Sequence, residues 1–162
     1  MSESTNTNID LYGRLRIGDE PNHIAQLQQA DAAGLQTVVV HPCSAEPLDT
    51  SAAVEDLLRV TANSKVSVKP IGALTAGLKG EGLTAYAKLK AAGCIAVGQG
   101  DAPMPSGPVL RRAFEYAASS DMPIILRPED ASLAANGFAH EGAFGTKMGL
   151  KGVPVMAETL GL

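Results

Sequence analysis

The sequence has no tryptophan, and aromatic residues make up only 4% of its 162 residues. So few rings argue against an aromatic platform that stacks nucleobases or sugars. Charged residues are also scarce, at 19% against the ~25% of an average globular domain. The net charge is −4 and no cluster of basic residues occurs, so the sequence lacks the electrostatic footprint of nucleic-acid binding.

Two further deficits bear on where the protein works. Cys43 and Cys94 are the only cysteines, too few for the disulfide framework of a small secreted protein. No apolar stretch reaches the ~20 residues of a membrane-spanning helix, and the first residues lack the basic start and apolar stretch of a secretory signal. We therefore expect a cytoplasmic protein with no membrane partner, in which residues 1–8 form a flexible tail and residues 9–162 form one domain.

What the sequence does contain is a regular alternation of short β-branched runs with amphipathic stretches. The β-branched and apolar runs predict strands at residues 9–12, 36–41, 65–73, 94–97 and 123–126. The spacing of apolar residues predicts helices at residues 21–33, 50–62, 82–92, 106–119 and 153–160. In the first helix, Ile24 and Leu27 are expected to face the core, and Gly34 is expected to end it.

This order predicts an α/β fold, since short connections between alternating strands and helices give parallel strands with right-handed crossovers. Neither GxGxxG nor GxxxxGK[ST] occurs, so no phosphate-binding motif is present. About five βα units are five-eighths of a TIM-type (β/α)8 barrel, so we predict a partial barrel. Such a sheet leaves open edges, which either a longer protein or a second copy would cover.

The carboxyl ends of the strands are where a parallel α/β protein places its chemistry. Three alternatives involve residues there: a zinc site at His41 and Cys43, a Cys43 thiolate activated by His41, and an acid–base pair formed by Glu129 and Asp130. For each of them a structural role is the stronger interpretation, namely packed side chains for the first two and a helix cap for the third.

Three other polar segments carry weaker signals. His140-Glu141 does not continue into HExxH, because position 144 is Phe144. The segment Gly98-Gln99-Gly100 is typical of a tight turn between a strand and a helix. His23 is expected to be a solvated residue on the surface of the first helix.

Five stretches of the chain resemble the central part of dihydroorotases, members of the amidohydrolase superfamily. They cover nearly all of residues 9–159 and read IDLYGRLR, AAGLQTVVVHPCSAEPLDT, VKPIGALTAGLKGEGLTAYAKLKAAGCIAV, LRRAFEYAASSDMPIILRPEDASLA and HEGAFGTKMGLKGVPVMAET. The resemblance implies a barrel that, in its active members, uses zinc to open and close the dihydroorotate ring in pyrimidine synthesis.

The same resemblance implies that the metal ligands are replaced. The family's first strand ends in D-x-H-x-H-x-R; Asp10 and Arg16 fit this pattern, whereas Tyr12 and Arg14 stand in place of the two histidines. Gln99 aligns, within a residue or so, with the family's acidic or carbamylated ligand. Two further replacements are Arg127, at the histidine of the His-x-Glu-Asp motif, and Cys43, at the substrate-binding asparagine of Met-Pro-Asn.

These replacements favour a chain that holds no metal and has no catalytic residue, because without ligands no water is activated for hydrolysis. Such a chain resembles the non-catalytic dihydroorotase-like proteins that support the assembly of aspartate transcarbamoylase, which makes the transcarbamoylase catalytic chain the expected partner. A homo-oligomer is a further expectation. The alternatives are an active, metal-dependent cyclic amidohydrolase and a small-anion binding module, in which Arg14, Arg16 and Arg127 converge on a carboxylate or phosphate.

Overall fold

A computed structural model describes residues 7–15, 20–43 and 47–159 of the chain. The first half alternates strictly between strands and helices: β1 (Ile9–Gly13), α1 (Glu20–Ala32), β2 (Thr37–Val40), α2 (Ser51–Thr61) and β3 (Ser67–Ala73). A single 3-10 turn (Ala76–Leu78) precedes α3 (Tyr86–Ala92), β4 (Ala96–Gly98), α4 (Gly107–Ser119) and β5 (Ile124–Ile125). The chain continues through α5 (Ala131–Ala134), β6 (Ala139–His140), α6 (Ala143–Lys147), β7 (Gly152–Val153) and α7 (Met156–Thr159).

The first five strands form one parallel sheet in the order β1-β2-β3-β4-β5, and the sheet curls into a half-barrel. This confirms the partial TIM-type barrel predicted from the alternation of strand and helix patterns. The β-branched run of β2 explains its central place, because Val38, Val39 and Val40 are all buried and such side chains suit a strand covered on both faces.

Two apolar clusters lie on opposite faces of this sheet. The larger cluster packs the sheet against the helices and includes Val40, Val54 and Leu57, while Val39 and Ile71 join Ala96 in a smaller cluster. Because successive side chains of a strand point to opposite faces, the split between Val39 and Val40 assigns the smaller cluster to the other face of the sheet, away from the helices.

Helix α2 shows how the local sequence sets an element's start and its packing. The Thr50 side chain accepts a hydrogen bond from the amide of Ala53 at 3.2 Å and so caps the first turn. Val54, Leu57 and Thr61 are buried on one face at spacings of three and four, as predicted. Gly93 ends α3 with a left-handed φ of 114°, also as predicted.

The predicted helix over residues 82–92 is wrong in its first turn, since α3 begins only at Tyr86. Leu83 instead forms an antiparallel bridge with Thr75, and the Thr84 hydroxyl donates to the carbonyl of Ala73 at 2.6 Å. These bonds to the end of β3 hold residues 82–85 in a non-helical conformation.

The predicted helix over residues 153–160 is also wrong at its start. Val153 lies in β7, which pairs in parallel with β6 to form a separate two-stranded sheet. The residue before a proline is disfavoured in helical geometry, so Pro154 keeps Val153 extended and α7 begins at Met156. The predicted tail over residues 1–8 stays a prediction, because residues 1–6 lie outside the described part of the chain.

The first helix is rotated relative to the prediction. Leu27 is buried as expected, but Ile24 is 51% exposed and its neighbour His23 is only 2% exposed. The expectation that His23 is a solvated surface residue is therefore wrong. None of the helices in the described ranges is long and apolar enough to cross a bilayer.

Candidate functional site

The carboxyl ends of β1, β4 and β5 carry a cluster of charged side chains centred on Asp101. Asp101 follows β4 by three residues, and its carboxylate accepts a hydrogen bond from the Tyr12 hydroxyl at 2.8 Å. Arg14 forms an ion pair with the same carboxylate at 2.9 Å. Arg127, which follows β5, approaches Asp101 to 4.0 Å and also pairs with Glu129.

The cluster is neutral as a whole, because two guanidinium groups face two carboxylates. The hydrogen bond to Tyr12 and the charge of Asp101 raise the pKa of Arg14, and Glu129 raises the pKa of Arg127. Both arginines therefore stay protonated, and neither can donate a lone pair to a metal ion.

His41 lies beneath this cluster. Its Nε2 atom is 3.0 Å from the carbonyl oxygen of Leu11, so that nitrogen carries the hydrogen and donates it. The His41 ring also contacts the Tyr12 ring, with centroids 4.4 Å apart. This hydrogen bond and ring contact support the packed role for His41 that the sequence favours over a zinc ligand or a base for Cys43.

Gln99 is held away from the charged cluster. It is 1% exposed, and its amide nitrogen donates to the carbonyl of Leu78 at 2.9 Å. Its amide oxygen accepts from the Thr75 hydroxyl at 3.0 Å. Both ends of the amide are thus used to tie β4 to the connection after β3.

The next position shows why a turn follows β4 here. Gly100 has a left-handed φ of 59°, and a Cβ at this position would overlap the carbonyl oxygen of Pro42. This agrees with the tight turn predicted for Gly98-Gln99-Gly100.

The remaining predicted site residues divide into three outcomes. Glu129 pairs with Arg127, while Asp130 caps α5 by accepting from the amides of Ser132 and Leu133 at 2.8 and 3.1 Å. The acid–base pair is therefore not assembled, and the helix-cap interpretation holds for Asp130. Cys43 is a half-buried free thiol, and Arg16 lies outside the described residues.

Sequence reasoning missed Asp101, the residue on which the others converge. The only signal was its place just after the fourth strand, within the segment GQGD. The space beside the cluster, lined by Gly100, Asp101, Arg127 and Glu129 among others, has a volume of about 50 Å³. That is room for a water molecule and far below the ~300 Å³ of a typical ligand pocket.

Comparisons with known proteins identify the family of the chain. The model of the family described as dihydro-orotase-like matches residues 9–162. The chain belongs to the dihydroorotase-like family. It is 42% identical over 160 residues to a dihydroorotase-like protein of Pseudomonas putida, an alignment covering 95% of this chain and 37% of that protein.

Other members of the family give the same picture. The chain is 38% identical over 154 residues to a dihydroorotase of Anaeromyxobacter sp. (strain K), covering 93% of this chain and 36% of the relative. It is 42% identical over 154 residues to a dihydroorotase of Solibacter usitatus, with the same coverage of 93% and 36%. The chain thus spans little more than a third of the length of these relatives.

A divalent metal ion, which the family resemblance implies for active members, does not fit the donor set that the described residues present. Within residues 7–15, 20–43 and 47–159 there is no group of three or more His, Cys, Asp or Glu side chains able to hold a metal ion. Around Asp101 the neighbouring groups are two guanidiniums and a phenol, and the phenol already donates to Asp101.

Proposed function

We propose that this chain is a dihydroorotase-like protein without hydrolytic activity that supports the assembly of aspartate transcarbamoylase in pyrimidine biosynthesis. The proposed absence of hydrolytic activity is supported by one observation: Arg14, Tyr12 and Arg127 converge on Asp101 at the strand ends. The partner comes from the resemblance to non-catalytic dihydroorotase-like chains.

The chemical argument starts from the first-strand positions. By resemblance, Tyr12 and Arg14 occupy the places of two metal-binding histidines, and Arg127 occupies the place of a third. A metal-dependent hydrolase needs open coordination to activate a water molecule. Guanidinium groups supply no ligand, and their positive charge opposes a divalent cation at the same point.

The anion-binding alternative has less support from the same geometry. Arg14 is committed to Asp101 and Arg127 is committed to Glu129, so an incoming carboxylate or phosphate would have to displace a carboxylate already in place. The active-hydrolase alternative rests on the names of relatives such as the Anaeromyxobacter dihydroorotase. It needs ligands that the described residues do not bring together.

The two open sides of the half-barrel are compatible with a partner, although further strands of a longer protein or a second copy would cover them equally well. Within the described residues, β1 pairs only with β2 and β5 pairs only with β4. Leu11 on β1 is 70% exposed and Ile125 on β5 is 42% exposed. Unpaired strands with apolar side chains bind other chains unless they are covered.

Zinc content tests the loss of chemistry. We expect the purified chain to hold far less than one equivalent of zinc, and to show no dihydroorotate turnover with zinc added. A Tyr12→His, Arg14→His, Arg127→His variant should gain about one equivalent, because it places three imidazoles around Asp101. The matched control carries Ala at the same three positions and should gain none.

Two results would contradict this part of the proposal. One is stoichiometric zinc in the unmodified chain together with turnover. The other is a triple-histidine variant that folds, judged by circular dichroism, and binds no more zinc than the triple-alanine control.

Co-purification tests the partner. The chain should elute with the aspartate transcarbamoylase catalytic chain, and light scattering should give a mass larger than that of either component alone. Separate elution at micromolar concentrations of both chains would remove the assembly role while leaving the zinc result intact.

A further inference from the structure

A groove on the helical side of the half-barrel runs between α1 and the end of α2. Its apolar wall is formed by Ile24 and Leu27 of α1 and Val60 of α2, and polar residues including Ser64 and Lys65 line its other side. Its volume is about 360 Å³. Pockets of roughly 300–1,000 Å³ are the usual size for small-molecule sites.

His23 lies in the wall of this groove and is 2% exposed. Among the described residues neither of its ring nitrogens has a hydrogen-bond partner. Buried polar side-chain atoms are nearly always paired, and both nitrogens are also shielded from solvent, so bulk water does not replace the missing bonds. A ligand in the groove could supply the hydrogen bonds that the two nitrogens of this imidazole lack.

We propose that this groove binds a small uncharged molecule with an aliphatic body and a hydroxyl or amide head group. A neutral imidazole has one donor and one acceptor, and a hydroxyl or amide group complements either tautomer because it also donates and accepts. The aliphatic body would lie against Ile24, Leu27 and Val60. This inference does not depend on the proposed function, since no residue of the charged cluster lines the groove.

The charges around the groove favour an uncharged ligand over an anion. Lys65 is already opposite Asp31, with 3.5 Å between its ammonium nitrogen and the carboxylate, so the mouth of the groove is neutral. A carboxylate head group would lose its hydration in the groove, where the ammonium of Lys65 is already paired with Asp31. An uncharged head group pays a much smaller desolvation cost.

The rim of the groove offers a further polar contact and a way in. The Ser64 hydroxyl lines the groove and accepts from the amide of Val66 at 3.0 Å, and a hydroxyl also has a hydrogen to donate to a ligand. Ile24 is 51% exposed, so its side chain has room to rotate and open the path to His23.

Two isosteric probes test this proposal, butyramide as the uncharged head group and butyrate as the charged one. The chain contains only three histidines, so their ring signals can be followed separately by NMR and assigned with single substitutions. Butyramide should shift the His23 ring signals saturably, with half-saturation at or below roughly 50 mM, as the weakest ligand efficiencies predict for six heavy atoms. The ring signals of His41 and His140 should stay in place and serve as internal controls.

Two variants complete the test. His23→Phe removes both nitrogens, and Ile24→Trp fills the groove from an exposed position where the fold tolerates a larger side chain. Because these variants lack His23 or change the groove, the readout is the shift of the NMR methyl signals of Leu27 and Val60 on addition of butyramide. His23→Phe and Ile24→Trp should both abolish its saturable part. His23→Gln, which keeps a donor and an acceptor, should retain it. A response that persists in Ile24→Trp, no saturable shift in the unmodified chain, or a response to butyrate as large as that to butyramide would each overturn the proposal.

Discussion

Arg14 and Asp101 are 87 residues apart in the chain, and their side chains meet in an ion pair of 2.9 Å. Arg14 follows β1 and Asp101 follows β4, and two other strands lie between them in the sheet. Adjacent strands are about 4.8 Å apart, so only a curled sheet brings these two ends within reach of one arginine side chain. The ion pair is therefore direct evidence that the sheet is strongly curled.

Replacing the acceptor at the centre of the cluster tests its contribution to stability. Asp101→Asn leaves Arg14 and Tyr12 without a charged acceptor, and the Tm should fall by at most about 4 °C, because exposed ion pairs contribute little. The loss should shrink in roughly 1 M salt, where charges are screened within about 3 Å. Asp121→Asn, which breaks the separate Lys90–Asp121 pair of 2.9 Å, is the matched control. A Tm loss for Asp101→Asn that does not change with salt would argue against an ionic cause.

Gln99 should matter more to stability than any residue of the charged cluster. Gln99→Ala removes both hydrogen bonds of a side chain that is 1% exposed and leaves the Leu78 carbonyl without its donor. The free energy of unfolding should decrease by about 2–4 kcal/mol, measured by urea denaturation. Gln29→Ala, at an exposed position of α1, should change it by less than about 0.5 kcal/mol. Equal effects of the two substitutions would contradict the buried bridge.

The two thiols should differ sharply in reactivity. Burial raises the pKa of Cys94 to about 12, so only about one molecule in ten thousand carries its thiolate at pH 8. Iodoacetamide should therefore modify the half-buried Cys43 in the native protein and reach Cys94 only after unfolding. Mass spectrometry of tryptic peptides gives the site, and Cys43→Ser supplies the control in which native labelling disappears. Labelling of Cys94 at a rate similar to that of Cys43 in native buffer would contradict its burial.

Acid should weaken the segment that begins with α5. Hydrogen bonds from the Ser132 side chain and from the Leu133 and Ser132 amides hold the pKa of Asp130 below its ordinary value of 3.8. Its contribution to stability is complete above that value and is lost as the pH falls through the lower pKa of the folded protein.

The measurement is hydrogen exchange of the α5 amides between pH 2 and pH 5, corrected for intrinsic rates. Protection should fall with acidity in the native sequence. In Asp130→Asn, which keeps a capping oxygen but has no titrating group, it should be nearly constant. The same fall in both proteins would assign the acid sensitivity to other carboxylates, such as Asp121, whose pKa Lys90 lowers.

The sheet was predictable from sequence because each of its five strands lies in a β-branched or apolar run of the sequence. The run of three valines in β2 and the alternating helices are patterns within one segment, and short connections then leave few topologies. The two-residue strands β6 and β7 were not predictable because, unlike the equally short β5 in its apolar run, they lie in no β-branched or apolar run.

The candidate site could be located but not assembled from the sequence. The strand-end rule and the family resemblance together pointed to Tyr12, Arg14 and Arg127, yet neither assigned a role to Asp101, whose partners are remote in sequence. Gln99 was placed at the right strand end, but its side chain bonds to Thr75 and Leu78, a choice made by long-range packing. His23 was misjudged because α1 has a weak apolar pattern, so a rotation of one position decided which side chain was buried.

The strand order also bears on how the chain reaches this architecture during synthesis. Because the five strands are arranged in the order in which they occur, each newly completed unit pairs only with the one before it. A nascent chain leaving the ribosome can therefore add its units one at a time, since each strand after β1 finds a neighbour that has already been translated.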